Sequence, residues 1–151
     1  MCDIEEIFCK HRDDVYRLAL SYTRSTQEAE DVCQTVFLKL MEQKKVTPGK
    51  EKAWLMQVTA NECRNLLRSS WWKKTTALDE TLVSPEPECR DVFYSVMSLP
   101  PKYRVVIYLR YYEEYTTKEI AALLRISQSS VTTRLDRARQ MLREKLKEVS
   151  V

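Results

Sequence analysis

Apolar residues in the first third of the chain recur at helical intervals. Over residues 3–24 they fall at Ile7, Val15, Leu18, Ala19 and Tyr22, spacings of three, four and seven or eight that gather on one side of a helix. A second helix is predicted by STQEAEDVCQTVFLKLMEQ, where Ser25 and Glu28 have capping-box spacing and Val32, Val36, Phe37, Leu40 and Met41 form one stripe. KKVTPGK, residues 44–50, contains the only glycine and a proline and predicts a loop. A third helix follows, carrying Trp54 to Trp72 with no proline or glycine until Pro85.

From Thr75 the periodicity stops. TTALDETLVSPEPE is acidic and carries two prolines, which predicts a flexible linker over 75–90. CRDVFYSVMSL then suits a helix that Pro100 and Pro101 break, and Pro101 suits the first position of the next helix, reaching about Glu113. Thr116 and Glu119 repeat the capping-box spacing before a helix ending at Leu124. RIS turns the chain, and Ser127 caps a long final helix. A helix, a three-residue turn and a second helix beginning with small polar residues predict a helix-turn-helix.

On the final helix Val131, Leu135, Ala138, Leu142 and Leu146 define one face for burial. The opposite face is Ser129, Thr132, Thr133, Asp136, Arg137 and Gln140, with Ser130 and Arg134 at its margin. Hydroxyls and guanidinium groups of that kind suit base edges and phosphates in a major groove. The third helix divides in the same way. Leu55, Val58, Thr59 and Leu66 are assigned to a core, while Trp54, Gln57, Asn61, Arg64, Asn65, Arg68 and Trp72 form a second stripe. Amides, arginines and indoles together are the equipment of a surface for unpaired nucleotides.

Composition sharpens this picture. With 151 residues, 44% hydrophobic, the chain can fill one ordinary core or two small ones. One glycine leaves few places for hairpins, so the expectation is an all-α protein of two small helical domains joined by a flexible linker: 1–74, linker 75–90, and 91–151. The net charge of +3 is segregated: −4 over residues 1–42, +6 over 43–74, −4 over 75–95 and +5 over 96–151. Two basic blocks predict two contacts with a polyanion, and the acidic first block a different partner. The five cysteines show no C-x-x-C pair, which predicts reduced, mostly buried thiols. No apolar run has the length of a membrane span and the acidic start is unlike a signal peptide, so no membrane insertion and a cytoplasmic location are expected.

Enzymatic chemistry is not expected, nor a metal or cofactor. His11, the only histidine, has no metal-binding partner in the sequence, and one glycine cannot build a phosphate loop. The pairs Asp13 with Asp14 and Glu113 with Glu114 are adjacent, so on a helix they diverge. Two further readings stay open: a stand-alone helix-turn-helix regulator, and a structural bundle that leaves the charge segregation without cause.

The chain resembles a sigma factor of the sigma-70 class, specifically the short extracytoplasmic-function (ECF) group. YRLALSYTRSTQEAEDVCQTVFLKL resembles the part of region 2 that grips core RNA polymerase, WLMQVTANECRNLLRSS the part that meets the promoter, and LPPKYRVVIYLRYYEEYTTKEIAALLRISQSSVTTRLDRARQMLREKL region 4. The resemblance implies core polymerase, through its β′ and β subunits, promoter DNA and an anti-sigma factor as partners. By position it implicates Asp31, Gln34, Thr35 and Leu38 in polymerase binding, with Thr35 standing where the family commonly has Glu. For the melted minus-10 element it implicates the loop with Lys44, Lys45, Lys50 and Lys52, the pocket residue Asn61, and with them the stripe of Trp54, Gln57, Arg64, Arg68 and Trp72. Asn65 stands where Asp is frequent. For the minus-35 element it implicates Ser130, Thr132, Thr133, Arg134 and Arg137, beside Ser129 and Asp136 of the same face. Thr132 replaces a frequent basic residue and Asp136 an apolar one, which implies a different preferred promoter.

Overall fold

The computed structural model describes residues 4–43, 46–68 and 90–149, and every regular element among them is helical. The chain divides into two compact units, Met1–Ala77 and Leu78–Val151, a division that falls inside the span expected to be a linker. Of that span only Arg90 is described. Trp71, Trp72, Lys73, Lys74, Lys44, Lys45, Cys2 and Cys89 also lie outside the described residues.

The first unit is three helices: α1 (Ile4–Thr23), α2 (Thr26–Gln43) and α3 (Glu51–Arg68), each packed on the other two. Glu5 and Glu6 in the first turn of α1 complement its dipole. At the start of α2 the Ser25 hydroxyl accepts from the Glu28 amide at 3.3 Å, as the capping spacing predicts. Val15, Leu18, Val36, Leu40, Leu55 and Met56 fill the core, all essentially without exposure. Phe8 and Phe37 close one edge with ring centroids 4.6 Å apart. Two ion pairs tie helices together at the surface, Lys39 with Glu62 and, at 3.7 Å, Lys52 with Asp14.

Burial on α3 corrects the expected core face. Leu55 and Thr59 are buried as expected, but Val58 and Leu66 are only half-buried, and Met56, Ala60 and Cys63 take the remaining core positions. The packed side is centred one position further round the helix, because α3 leans against α1 and α2 together. On α2, Met41 is 48% exposed rather than buried with Val32, Val36 and Leu40.

The thiols follow their burial. Cys33 and Cys63 are buried and Cys9 is exposed. Burial pushes the Cys33 thiol up to about 11 and raises that of Cys63 as well, so neither forms a thiolate at neutral pH. In a chain carrying Ser at Cys2 and Cys89, a thiol reagent at neutral pH is expected to modify Cys9 quickly and the other two only after unfolding. Equal rates for all three in the native protein would contradict that assignment.

The second unit contains α4 (Arg90–Met97), α5 (Pro101–Ile107), a π-helical turn (Tyr108–Tyr112), α6 (Thr117–Leu124) and α7 (Gln128–Val149). Pro101 opens α5, where its missing N–H costs nothing. The helix does not run regularly to Glu113: it widens, with the Glu113 amide donating to the Tyr108 carbonyl at 3.2 Å and the Tyr108 hydroxyl donating to the Glu113 carboxylate at 2.6 Å. Between α4 and α5 the Arg104 side chain is 2% exposed and donates to the Leu99 carbonyl at 2.8 Å and the Met97 carbonyl at 3.4 Å. It thereby satisfies carbonyls that the end of α4 leaves open. Replacing Arg104 with Ala removes those bonds and opens a cavity, so a loss of about 3 kcal/mol is expected in urea unfolding of the second unit. A loss below about 1 kcal/mol would show that the turn holds without it.

The α6–α7 pair is a helix-turn-helix. Thr116 and Glu119 form the complete capping box, each side chain bonding the other's amide at 3.1 and 3.0 Å. Arg125 ends α6 in the left-handed region at φ 57°, and Ser127 caps α7 by accepting from the Ser130 amide at 3.1 Å. Gln128 donates to Thr117 at 2.9 Å, joining the two helix starts. Val131, Leu135 and Ala138 are buried against the rest of the unit, while Leu142 and Leu146 are half-buried along an apolar groove with Val92, Val96, Ile107 and Tyr111.

Candidate nucleic-acid and polymerase surfaces

Three surfaces expected from the sequence can be followed residue by residue. On α2, Asp31, Gln34, Thr35 and Leu38 lie on one stripe at intervals of three and four, and all four are at least partly exposed. Thr35 spends its hydroxyl proton on the Asp31 carbonyl at 3.1 Å. Leu38 is 58% exposed, and Met41 continues the stripe one turn on. Two large apolar side chains standing in water beside Gln34 and Asp31 have the make-up of an interface centre with a polar rim. Met41 is the member that the sequence pattern assigned to the core.

On α3, Trp54, Gln57, Asn61 and Arg64 are half-buried and Asn65 and Arg68 exposed, all on the side opposite the buried Leu55, Thr59 and Cys63. The Arg64 guanidinium donates to the Asn61 side-chain oxygen. That bond fixes which end of the amide faces outward: its N–H groups are free to meet an acceptor. In the preceding loop Gly49 has φ 84° with nothing near enough to touch an added Cβ, so the conformation rather than space demands glycine there. The turn is closed by the Lys50 amide on the Thr47 carbonyl at 3.0 Å, and Lys50 is exposed. Lys52 does not join this surface. It sits on the packed side of α3 and pairs with Asp14 of α1.

On α7, Ser129, Thr132, Thr133, Asp136, Arg137 and Gln140 are all exposed, with Ser130 and Arg134 half-buried beside them. Thr132 donates to the Gln128 carbonyl at 3.1 Å and Thr133 to the Ser129 carbonyl at 2.9 Å. Their hydroxyl protons are thus engaged within the helix, and the lone pairs left outward make both residues acceptors. Asp136 is paired with Arg139 at 3.0 Å, and Arg139 in turn donates to the Tyr111 hydroxyl at 2.6 Å. Arg137 lines one cavity with Tyr103 and is the main cause holding that phenol below its ordinary pKa. Lys102 and Tyr103 of α5 thus belong to this surface, although in the sequence they are only the first turn of a helix. A lysine–tyrosine pair directly after the Pro100–Pro101 break was the available signal.

The fold is that of a two-module helical protein with a helix-turn-helix in its second module and an exposed apolar stripe on its first. Residues 7–73 match the sigma-70 region 2 family and residues 94–142 the sigma-70 region 4 family. Among curated proteins, the ECF RNA polymerase sigma factor SigM of Bacillus subtilis is 32% identical, over 93% of this chain and 93% of its own length. The ECF sigma factor SigE of Mycolicibacterium smegmatis is 30% identical over 94% of this chain, which spans 61% of that relative. The protein belongs to the ECF group of the sigma-70 family of RNA polymerase sigma factors. Its fold is shared with the sigma factor RpoE solved in complex with the anti-sigma factor NepR from Bartonella quintana, at a TM-score of 0.72 and 20% identity over 95% of this chain and 96% of that one. CnrH in complex with the cytosolic domain of CnrY shares it at a TM-score of 0.64 and 22% identity, over 96% of this chain and 88% of that one.

Proposed function

We propose that this sigma factor divides its work between its two units as follows. Residues 1–74 hold core polymerase through the α2 stripe and bind the melted minus-10 strand on the outward face of α3. Residues 91–151 read the minus-35 duplex with α7, and 75–90 join the two. The observation that carries this reading is that each unit leaves out of its core one helix face of amides, hydroxyls and guanidinium groups. Neither face is needed for folding. Two weak DNA contacts become a strong, spacing-dependent one when polymerase holds both units. Strand separation follows from binding energy, since unpaired bases are held on α3 and paired ones are not. No bond is made or broken by this chain, so it requires no catalytic residue or cofactor.

The likeness to the sigma factor RpoE solved with the anti-sigma factor NepR supports an anti-sigma factor as a further partner, and the proposal assigns it the same surfaces as polymerase and DNA. Among the described residues no helix is long and apolar enough to cross a membrane, and a cytoplasmic site of action is part of the proposal. The test is co-elution of the purified chain with bacterial core RNA polymerase, followed by run-off transcription from genomic fragments. Co-elution with new, specific transcripts is expected. A chain that ignores polymerase yet shifts duplex DNA would instead be a stand-alone regulator.

A further inference from the structure

Beside the outward face of α7 lies a cavity of about 230 Å³ lined by Lys102, Tyr103, Ser130, Thr133, Arg134 and Arg137, with Ser129 at its edge. Three of these are cations, the others carry hydroxyls, and none is a carboxylate. They come from helices far apart in sequence. The Pro101 start fixes the first turn of α5, with the Tyr103 amide on the Pro100 carbonyl at 3.0 Å. That turn exposes Lys102, buries Tyr103 beneath the cavity, and sends Arg104 the other way into the core. The Lys102 ammonium lies 5.0 Å from the centre of the Tyr103 ring, a cation–π contact that holds the flexible lysine over the cavity. Tyr103 and Arg137 line this cavity together, and the Arg137 side chain is the main cause lowering the pKa of the Tyr103 phenol.

Three cations converging without a carboxylate repel one another, and an anion between them relieves that cost. The anion available at the edge of a major-groove helix is a backbone phosphodiester. We propose that Lys102 and Arg134 clamp one phosphate of the minus-35 duplex in this cavity, and that Tyr103 is a positioning residue that aims Arg137 at its base. This rests on the reading of α7 as the minus-35 helix. It adds α5 to the DNA surface and separates two tasks: Lys102 supplies affinity without sequence preference, and Tyr103 supplies discrimination through Arg137.

The test uses the full chain assembled with core polymerase and a labelled promoter fragment obtained from the run-off transcripts. K102A is expected to weaken binding about fivefold on matched and mismatched upstream elements alike, and to reduce the slope of log affinity against log salt by about 1, with K102R restoring both. Y103F keeps the ring and is expected to leave the salt slope unchanged, while preference for the correct base under Arg137 falls about tenfold. In a scan replacing each upstream phosphate with the uncharged methylphosphonate, one position should cost the wild type about fivefold and K102A nothing. The clamp is overturned if every position costs K102A what it costs the wild type. The positioning role is overturned if Y103F discriminates as the wild type does. Lys102 is exposed, so its variant folds and decides the clamp even if Y103F does not. If the wild-type holoenzyme shows no upstream preference at all, the minus-35 reading of α7 falls, and this inference with it.

Discussion

Replacing Asn61 or Trp54 with Ala is expected to leave binding of the closed promoter within about twofold of the wild type and to lower the yield of open complex by at least about tenfold. Stacking of one unpaired base on an aromatic ring is worth about 1–3 kcal/mol, which is a factor of about 5 to 150 in the opening equilibrium. Asn61 adds outward N–H donors whose direction Arg64 sets, so Arg64→Ala should reproduce part of the Asn61 defect by freeing the amide to rotate. Both residues sit on the side of α3 away from Leu55, Thr59 and Cys63. Their loss therefore leaves the core of the first unit intact. Equal losses in closed and open complexes would sink the strand-separation role of this face.

The second large effect concerns α2. Leu38→Glu is expected to weaken the affinity for core polymerase at least thirtyfold, about 2 kcal/mol or more, because the proposed apolar anchor of the polymerase contact is replaced by a charge that must be desolvated. Met41→Glu should follow with a smaller loss, since its place on the stripe is less exposed. Thermal unfolding of both variants should be close to that of the wild type: Leu38 at 58% and Met41 at 48% exposure contribute little to the core. Competition between variant and wild-type chains for a limiting amount of polymerase measures this directly. Unchanged affinity for Leu38→Glu would mean that α2 meets polymerase by another face or not at all.

The helices and their order were legible because the apolar stripes have the helical period and four of the starts carry a local signal: Ser25, Thr116 and Ser127 cap their helices and Pro101 opens its own. The α7 surface was legible for the same reason, since the burial of Val131, Leu135 and Ala138 leaves only one other side. What escaped was set by packing rather than by local pattern. Which of Val58, Leu66, Met56, Ala60 and Cys63 enters the core depends on the angle at which α3 meets two neighbours, and period alone does not supply that angle. Met41 completes an apolar pattern whichever way it faces.

The scarcity of glycine was a weaker guide to turns than it looked. Arg24, Glu114 and Arg125 all adopt positive φ, at 55°, 58° and 57°, where a glycine would be at ease. At Arg125 the turn is held by its surroundings: the Ile126 amide bonds the Ala121 carbonyl at 3.1 Å and Ser127 begins the next cap. The cavity under Lys102 escaped for a different reason. It needs α5 and α7, more than twenty residues apart, to meet, and no spacing rule within either helix shows that.

On the proposed division of work, one chain holds a duplex element with its second unit while opening the strands with its first. Permanganate footprinting of a promoter with core polymerase and the full chain tests it in a single experiment, because it reports unpaired thymines by position. The expected result is a short patch of reactive thymines in the minus-10 element, lost with Asn61→Ala while the polymerase and the chain remain bound upstream. Strands that open equally well with Asn61→Ala, or with core polymerase and no sigma chain, would contradict it.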